Sequence, residues 1–161
     1  MTRTIRAEPL TAEALSPWGQ VLASDGDPAQ RDEYAASTDN LRGHAKLNVT
    51  FMRVADRAPM VKAIERHPHS MQLFVPMNGA RYLVAVCPAL PDGGPDVANI
   101  RAFVADGGQA VNYDAGVWHG PLCVLDHPGD FTMIRHDDGG PEDTELVMLD
   151  EAIEVALPRF G

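Results

Sequence analysis

Apolar residues in this chain fall in short runs cut by glycine and proline, and no stretch carries the spacing of a long amphipathic helix. Residues 4–7 read as a strand. Thr11 can cap a short helical turn with Glu13 and Ala14 behind it, and Pro17 ends that turn. Residues 20–23 read as a second strand. Residues 25–40 are polar, contain Gly26 and Pro28 and show no period, which predicts a long loop with one turn. In residues 44–54, Leu47, Val49 and Phe51 alternate with polar or surface positions, the pattern of a half-buried strand. Residues 81–87 form a strongly apolar strand ended by Pro88, followed by the turn residues Pro91, Asp92, Gly93, Gly94 and Pro95.

Residues 100–105 and 110–113 read as two strands joined through the hairpin turn DGGQ. Residues 122–126 and 131–134 follow, linked by the turn HPGD. Residues 146–149 are apolar, and DEAIEVAL, residues 150–157, predicts a short helix. Roughly nine or ten short strands separated by Gly/Pro turns predict an all-β barrel or sandwich with a few short helices. Nothing alternates strand with long helix, which excludes a doubly wound sheet.

Two polar islands interrupt this pattern. IERHPHSMQLFVPM, residues 64–77, carries Glu65, His67, His69 and Gln72 ahead of Leu73, Phe74 and Val75. NYDAGVWHGPL, residues 112–122, carries Tyr113, Trp118 and His119. A polar cluster and a distant histidine that meet in space describe a barrel interior with a small site. Alternation along a strand places Glu65, His67 and His69 on one face, although Pro68 implies an edge or a bend. Gln72 has the other parity and reaches the same site only if the chain turns between His69 and Gln72. Histidines near neutrality suit general acid and base work. Alternatively His67, Gln72 and His119 hold a metal, although a neutral glutamine is a poor ligand for a divalent ion of this kind. The plainer readings are a surface pair for Glu65 and Arg66, and barrel packing for Tyr113 and Trp118.

The chain's 161 residues suffice for one domain, 1–161, with its own core. No run approaches the ~18 apolar residues of a membrane span, and MTRTIRAEPL lacks an apolar signal core, so a cytoplasmic protein is expected. Cys87 and Cys123 lie in apolar runs without metal-site spacing and read as reduced packing residues. A net charge of −10 argues against nucleic acid or an anionic membrane as partner and leaves a small-molecule substrate. The acidic run HDDGGPED, residues 136–143, lacks the register of a calcium loop and reads as a solvated loop.

The two islands also carry a resemblance. His67, His69 and Gln72, then Gly116 and His119, resemble the two-part pattern of cupins. More closely, Glu65, Arg66, His67, Pro68, Gln72, Phe74 and Pro76 are similar to a block of the ureidoglycolate lyase family. So are Arg101, Ala102, Phe103, Gly108, Gln109, Val111, Asn112, Tyr113, Gly116, Val117, Trp118, His119, Pro121 and Leu122, together with the N-terminal PLTAEALSPWGQVL. The resemblance implies a cupin-like jelly-roll barrel, a homodimer, a divalent metal (nickel) or none, and cleavage of ureidoglycolate to glyoxylate and urea in allantoin (purine) breakdown. That chemistry needs a base for the hydroxyl proton, a donor for the departing urea nitrogen and a cation for the carboxylate. The residues expected to supply it are His67, His119 and Glu65 as catalytic groups, with Arg66, Gln72, Arg101, Tyr113 and Trp118 as substrate contacts. The chain departs from the family at Gly120, usually a histidine, at Arg135 and His136, where an Asp-Arg pair is usual, and at His69, usually apolar. These departures keep open a small-acid sensor without catalysis and a metal-dependent cupin enzyme acting on another substrate.

Overall fold

The computed structural model describes residues 2–159. Its strands are β1 (Thr4–Pro9), β2 (Gly19–Leu22), β3 (Lys46–Val54), β4 (Met60–Arg66), β5 (Gln72–Pro76) and β6 (Gly79–Cys87). They continue with β7 (Arg101–Gly107), β8 (Ala110–Tyr113), β9 (Trp118–His119), β10 (Cys123–Val124), β11 (Gly129–Asp137) and β12 (Glu145–Ala156). One helical turn, α1 (Ala12–Leu15), starts where Thr11 accepts a hydrogen bond from the Ala14 N–H and buries Leu15 completely. The long loop before β3 holds a single 3₁₀ turn, Ala35–Ser37.

The strands form two sheets. The smaller runs β2-β8-β5-β11-β3; the larger runs β10-β6-β7-β1-β12-β4-β9, and β9 also pairs with β6. That last pairing closes β6, β7, β1, β12, β4 and β9 into a ring. The expected all-β, cupin-like jelly roll is therefore present, with the larger sheet serving two cores. Phe74, Val111, Tyr113, Phe131 and Met133 of the smaller sheet meet Tyr82, Val84, Val86 and Phe103 of the larger one in the first core. Leu83, Ala85 and Cys87 alternate to the opposite face of β6, where they meet Ala7, Val61, Val104, Ile153 and Val155 inside the ring. Burial of each such side chain contributes ~1.5–3 kcal/mol. Among the described residues no helix is long and apolar enough to cross a membrane.

Two sequence expectations are corrected here. The alternation in β3 is real, but its apolar set faces outward: Leu47, Val49 and Phe51 are 59%, 60% and 64% exposed, while Met52 and Val54 pack on the first core. Period two fixes which residues share a face and says nothing about which face meets the core. Residues 150–157 form no helix. All but Leu157 belong to β12, where pairing to β1 on one side and β4 on the other sends Ile153 and Val155 inward. Ladder hydrogen bonds and burial override the helical preference of its Glu and Ala residues.

Gly19 is where β2 touches its neighbour most closely. Its φ is +151°, and a Cβ there would lie 2.0 Å from the Asn112 carbonyl oxygen. Since Gly19 pairs with Tyr113, any side chain pushes β8 away from its place. Gly19→Ala is expected to lower stability by at least about 2 kcal/mol, read as a fall of ~4–8 °C in Tm. An unchanged Tm would show that β2 shifts without resistance.

Candidate active site

The first polar island bends as its parity demands. β4 ends at Arg66, a turn runs through Pro68 and His69, and β5 begins at Gln72. In the larger sheet, Glu65 pairs across strands with His119. In the smaller sheet, Gln72 pairs with Tyr113 on one side and Arg135 on the other. The two rows meet inside the jelly roll. His119 Nε2 lies 2.8 Å from Gln72 Oε1 and 3.5 Å from Glu65 Oε1. The Tyr113 ring stacks on the His119 ring at 4.1 Å and 12°, and the His67 ring centroid lies 5.6 Å from that of His119. The structure thus brings together Glu65, His67, Gln72, Tyr113 and His119.

Hydrogen bonds fix how each imidazole presents itself. His119 Nδ1–H donates to the Val117 carbonyl at 3.0 Å, so Nε2 is its acid–base atom, a donor to Gln72 when the ring is cationic. His67 Nδ1–H donates to the Asp143 carbonyl at 2.9 Å. That leaves His67 Nε2 with a lone pair, buried and without a hydrogen-bond partner. Arg135 Nη1 and Thr144 Oγ1 stand 3.2 and 3.1 Å from His67 Nδ1, and the Arg135 guanidinium is anchored by Asp137 at 2.9 Å. Of residues 136–143, expected to be a solvated loop, His136 and Asp137 end β11, and the remainder is a surface loop tied down here. The Asp143 carboxylate accepts from the Gly139 N–H at 2.7 Å and pairs with Arg42, which also holds Asp138 at 3.0 Å. The loop is therefore folded so that one of its carbonyls sets the tautomer of a buried histidine.

Electrostatics follow from this packing. Burial, with the charges of His119 and Arg135, holds His67 below the usual imidazole range; the Asp143 carbonyl and Glu65 oppose them. Burial pushes the Glu65 carboxyl up, but the His119 hydrogen bond and charge, with His67 and Arg135, outweigh it and hold Glu65 below the ordinary carboxylate range. Burial, then Glu65, pushes the Tyr113 phenol up, so it stays protonated. The site combines a neutral histidine, a histidine paired with a carboxylate, and a guanidinium.

One ligand atom each of Glu65, His67 and His119 lies within 4.8 Å of the others. Two imidazoles and a carboxylate suit a borderline divalent ion, and the orphaned His67 Nε2 is what such an ion would satisfy. The residues present fit a metal. They differ from the expected set in one member: Glu65 stands where Gln72 was expected, and Gln72 faces His119 instead.

Three expected site residues, Arg66, Trp118 and Arg101, lie elsewhere, and so does His69, which the strand pattern puts on the face of Glu65 and His67. Arg66 pairs with Glu145 at 2.8 Å, donates to the Gly93 carbonyl and sits 4.5 Å over the Trp118 ring. Trp118 is buried in the ring core with its Nε1–H on the same carbonyl at 3.0 Å. Arg101 is exposed, paired with Glu8 and stacked on Phe103. His69 occupies the turn, where its carbonyl accepts from the Leu41 N–H. The cation the sequence reading missed is Arg135. Along β11 it shares a face with Phe131 and Met133, which are core residues, so a charged residue continuing an apolar face was its signal. Thr144 and Asp143 carried none.

A jelly roll of cupin type, with two histidines and a glutamate gathered between its sheets, is the class that fold and site define. Solved structures similar in fold include the dTDP-sugar isomerase of Desulfovibrio desulfuricans, with a TM-score of 0.52, 17% identity and 83% coverage of each chain. A 3'-monoepimerase of Streptomyces bikiniensis has a TM-score of 0.51 at 16% identity, over 87% of this chain and 72% of that one. At such identity the likeness speaks for fold alone. Sequence goes further: the ureidoglycolate lyase family profile matches residues 2–156. The ureidoglycolate lyase of Burkholderia cepacia is 38% identical over 152 residues, covering 88% of this chain and 83% of that one. That of Pseudomonas syringae pv. tomato is 34% identical over 149 residues, 86% of each. The chain belongs to the ureidoglycolate lyase family.

Two of the shifted site groups, His67 and Glu65, bind protons less readily in the folded protein than in the unfolded chain. The unfolded chain therefore binds more protons than the folded one once the pH falls below the ordinary histidine value, and stability drops with acidification. In metal-free protein with chelator present, the urea midpoint should fall from pH 7 to pH 5, with one proton, about 1.4 kcal/mol per pH unit, as the ceiling on the His67 contribution to the slope. Below that range Glu65 adds a further loss as it protonates in the folded state. His67→Gln should flatten the first part of the curve. A midpoint constant over this range in the parent protein would contradict the assigned neutral state of His67.

Proposed function

We propose that this protein is a ureidoglycolate lyase, cleaving ureidoglycolate to glyoxylate and urea in the cytoplasmic degradation of allantoin. The observation that carries this reading is the coincidence of a whole-chain family match with a buried acid–base pair, His67 and His119, beside a cation, Arg135. The substrate is a carbinol bearing a carboxylate and a ureido nitrogen. In the cleavage, His67 Nε2 takes the hydroxyl proton, and the oxygen's electrons form the aldehyde C=O. The C–N bond breaks toward nitrogen, and His119 Nε2–H protonates the leaving urea. Glu65 pairs with His119, Gln72 and the Tyr113 face orient its ring, and Arg135 receives the substrate carboxylate. This replaces Arg66 and Arg101, both engaged away from the two histidines, in the anion-holding role. Were Glu65, His67 and His119 to hold a divalent metal, the histidines would do so through the same Nε2 atoms, and Lewis-acid polarisation of the substrate oxygens would stand in place of the two proton transfers. The Glu-His-His set also favours a second reading, a metal-dependent enzyme for a related hydroxy acid. Glyoxylate release from ureidoglycolate after exhaustive chelation distinguishes the two.

Loss of a single acid–base group costs ~10²–10⁴-fold in rate. His119→Ala should lose kcat in that range with its circular dichroism spectrum intact, whereas Arg135→Ala should act mainly by raising KM. Wild-type glyoxylate release from both variants would remove the proposed roles.

The reading includes a homodimer. Leu47, Val49 and Phe51 on the edge strand β3, with Met77 also exposed, make an apolar outer face on the smaller sheet. Such a face is what a two-fold partner covers, and a standard interface takes about 800 Å² from each partner. Light scattering at micromolar protein should give twice the chain mass for the parent and the chain mass for Phe51→Glu. A monomeric parent would end this part of the proposal.

A further inference from the structure

A second cavity lies inside the strand ring, on the side of the larger sheet away from the acid–base cluster. It encloses about 330 Å³ and is walled by Val61, Leu83, Ala85 and the Gly120 backbone. Gly120 directly follows His119, but a Cβ on it would meet Ala85 Cβ at 3.2 Å and Val61 Cγ1 at 3.9 Å. His119 thus turns toward the site described above and Gly120 toward this cavity. At ~30 Å³ per water-sized group, there is room for roughly ten heavy atoms. The cavity opens to solvent past Arg57, Ala58, Lys62 and Met148, which are exposed.

The lining also includes two exposed cations, Arg57 and Lys62. In this acidic chain Arg42, Arg53, Arg66, Arg81, Arg101 and Arg135 each pair with a carboxylate. Arg57 and Lys62, like Arg3, Arg6, Arg31, Lys46 and Arg159, have no such partner among the described residues, and of these only Arg57 and Lys62 line the cavity. The Arg57 guanidinium donates at 2.7 Å to the Leu122 carbonyl, which holds it in position.

We infer that this cavity is a binding site for a small amphipathic carboxylate. Its apolar body of about six carbons fills the space over Gly120 and Ala85, and its headgroup meets Arg57 and Lys62. Ureidoglycolate does not fit that description, because its ureido donors would be buried without acceptors against these walls. The site is therefore separate from the proposed substrate site and does not depend on the lyase reading.

Met60 and Met148 also line the cavity, and their methyl groups report its occupancy. In methyl-labelled full-length protein, hexanoate should shift both methyl resonances saturably, with Kd on the order of 1 mM. Hexan-1-ol, which has the body without the charge, should bind at least tenfold more weakly. The surface double variant Arg57→Gln/Lys62→Gln should weaken hexanoate about tenfold, and Gly120→Leu should remove binding by filling the cavity. The proposal is overturned if hexanoate gives no saturable shift, if hexan-1-ol binds as tightly, or if the double charge variant binds like the parent. Since binding is read without turnover, an inactive lyase would leave these outcomes unchanged.

Discussion

The pairing of Glu65 with His119 carries two loads. It is the residue pair by which β4 meets β9, and β9, two residues long, meets β6 on its other side through Val86 and Cys87. Closing the ring and assembling the acid–base site are thus one event. A strand this short contributes little ladder energy. Its place depends on burial of Trp118 and His119, at 3% and 1% exposure, on opposite faces. The Gly120 N–H bond to the Ala85 carbonyl at 2.8 Å holds its end.

That arrangement requires charge to be buried, which is unfavourable unless every charge has a partner. Glu65 is compensated by His119 and Arg135, and Arg135 by Asp137. His67 escapes the requirement by being neutral. Its Nε2 is one of four buried polar atoms left without a partner among the described residues, with Arg42 Nε, Asn112 Oδ1 and His136 Nδ1; beside His119 and Arg135 it is the one placed to meet a ligand. The tautomer that exposes this lone pair is chosen by the Asp143 carbonyl, from a segment more than seventy residues away in sequence. Arg42 in turn secures that segment, so the loop before β3 reaches the site through two contacts.

Much of this was legible in the sequence. Thr11, Pro17 and the Gly/Pro turns marked boundaries because capping and turn chemistry are local. The two polar islands marked the site because polar residues between apolar runs need partners. The turn at Pro68 and His69 followed from the parity of Gln72. What stayed hidden depended on long-range pairing. The outward face of Leu47, Val49 and Phe51 is decided by which side of β11 faces Tyr82. The extended state of residues 150–157 is decided by β1 and β4. Arg66 and Arg101 were reasonable anion holders by position in the matching blocks, but each had a carboxylate or an aromatic neighbour that only the register reveals. Arg135 could be found only by following the parity of β11 past its last apolar residue.

The chain carries a net charge of −10, yet its proposed substrate is an anion. Over distances beyond the ~8 Å screening length of physiological salt this charge has little hold on a ligand, so the mean field hinders encounter only weakly. Inside the pocket the balance is local. Arg135 is half-buried beside a neutral His67, and a carboxylate meeting it there exchanges water for a charge-assisted bond of about twice ordinary strength. Had His67 been cationic, the anion would have met a second positive charge but no base. The depressed His67 therefore trades electrostatic attraction for reactivity, leaving Arg135 as the cation that meets the anion.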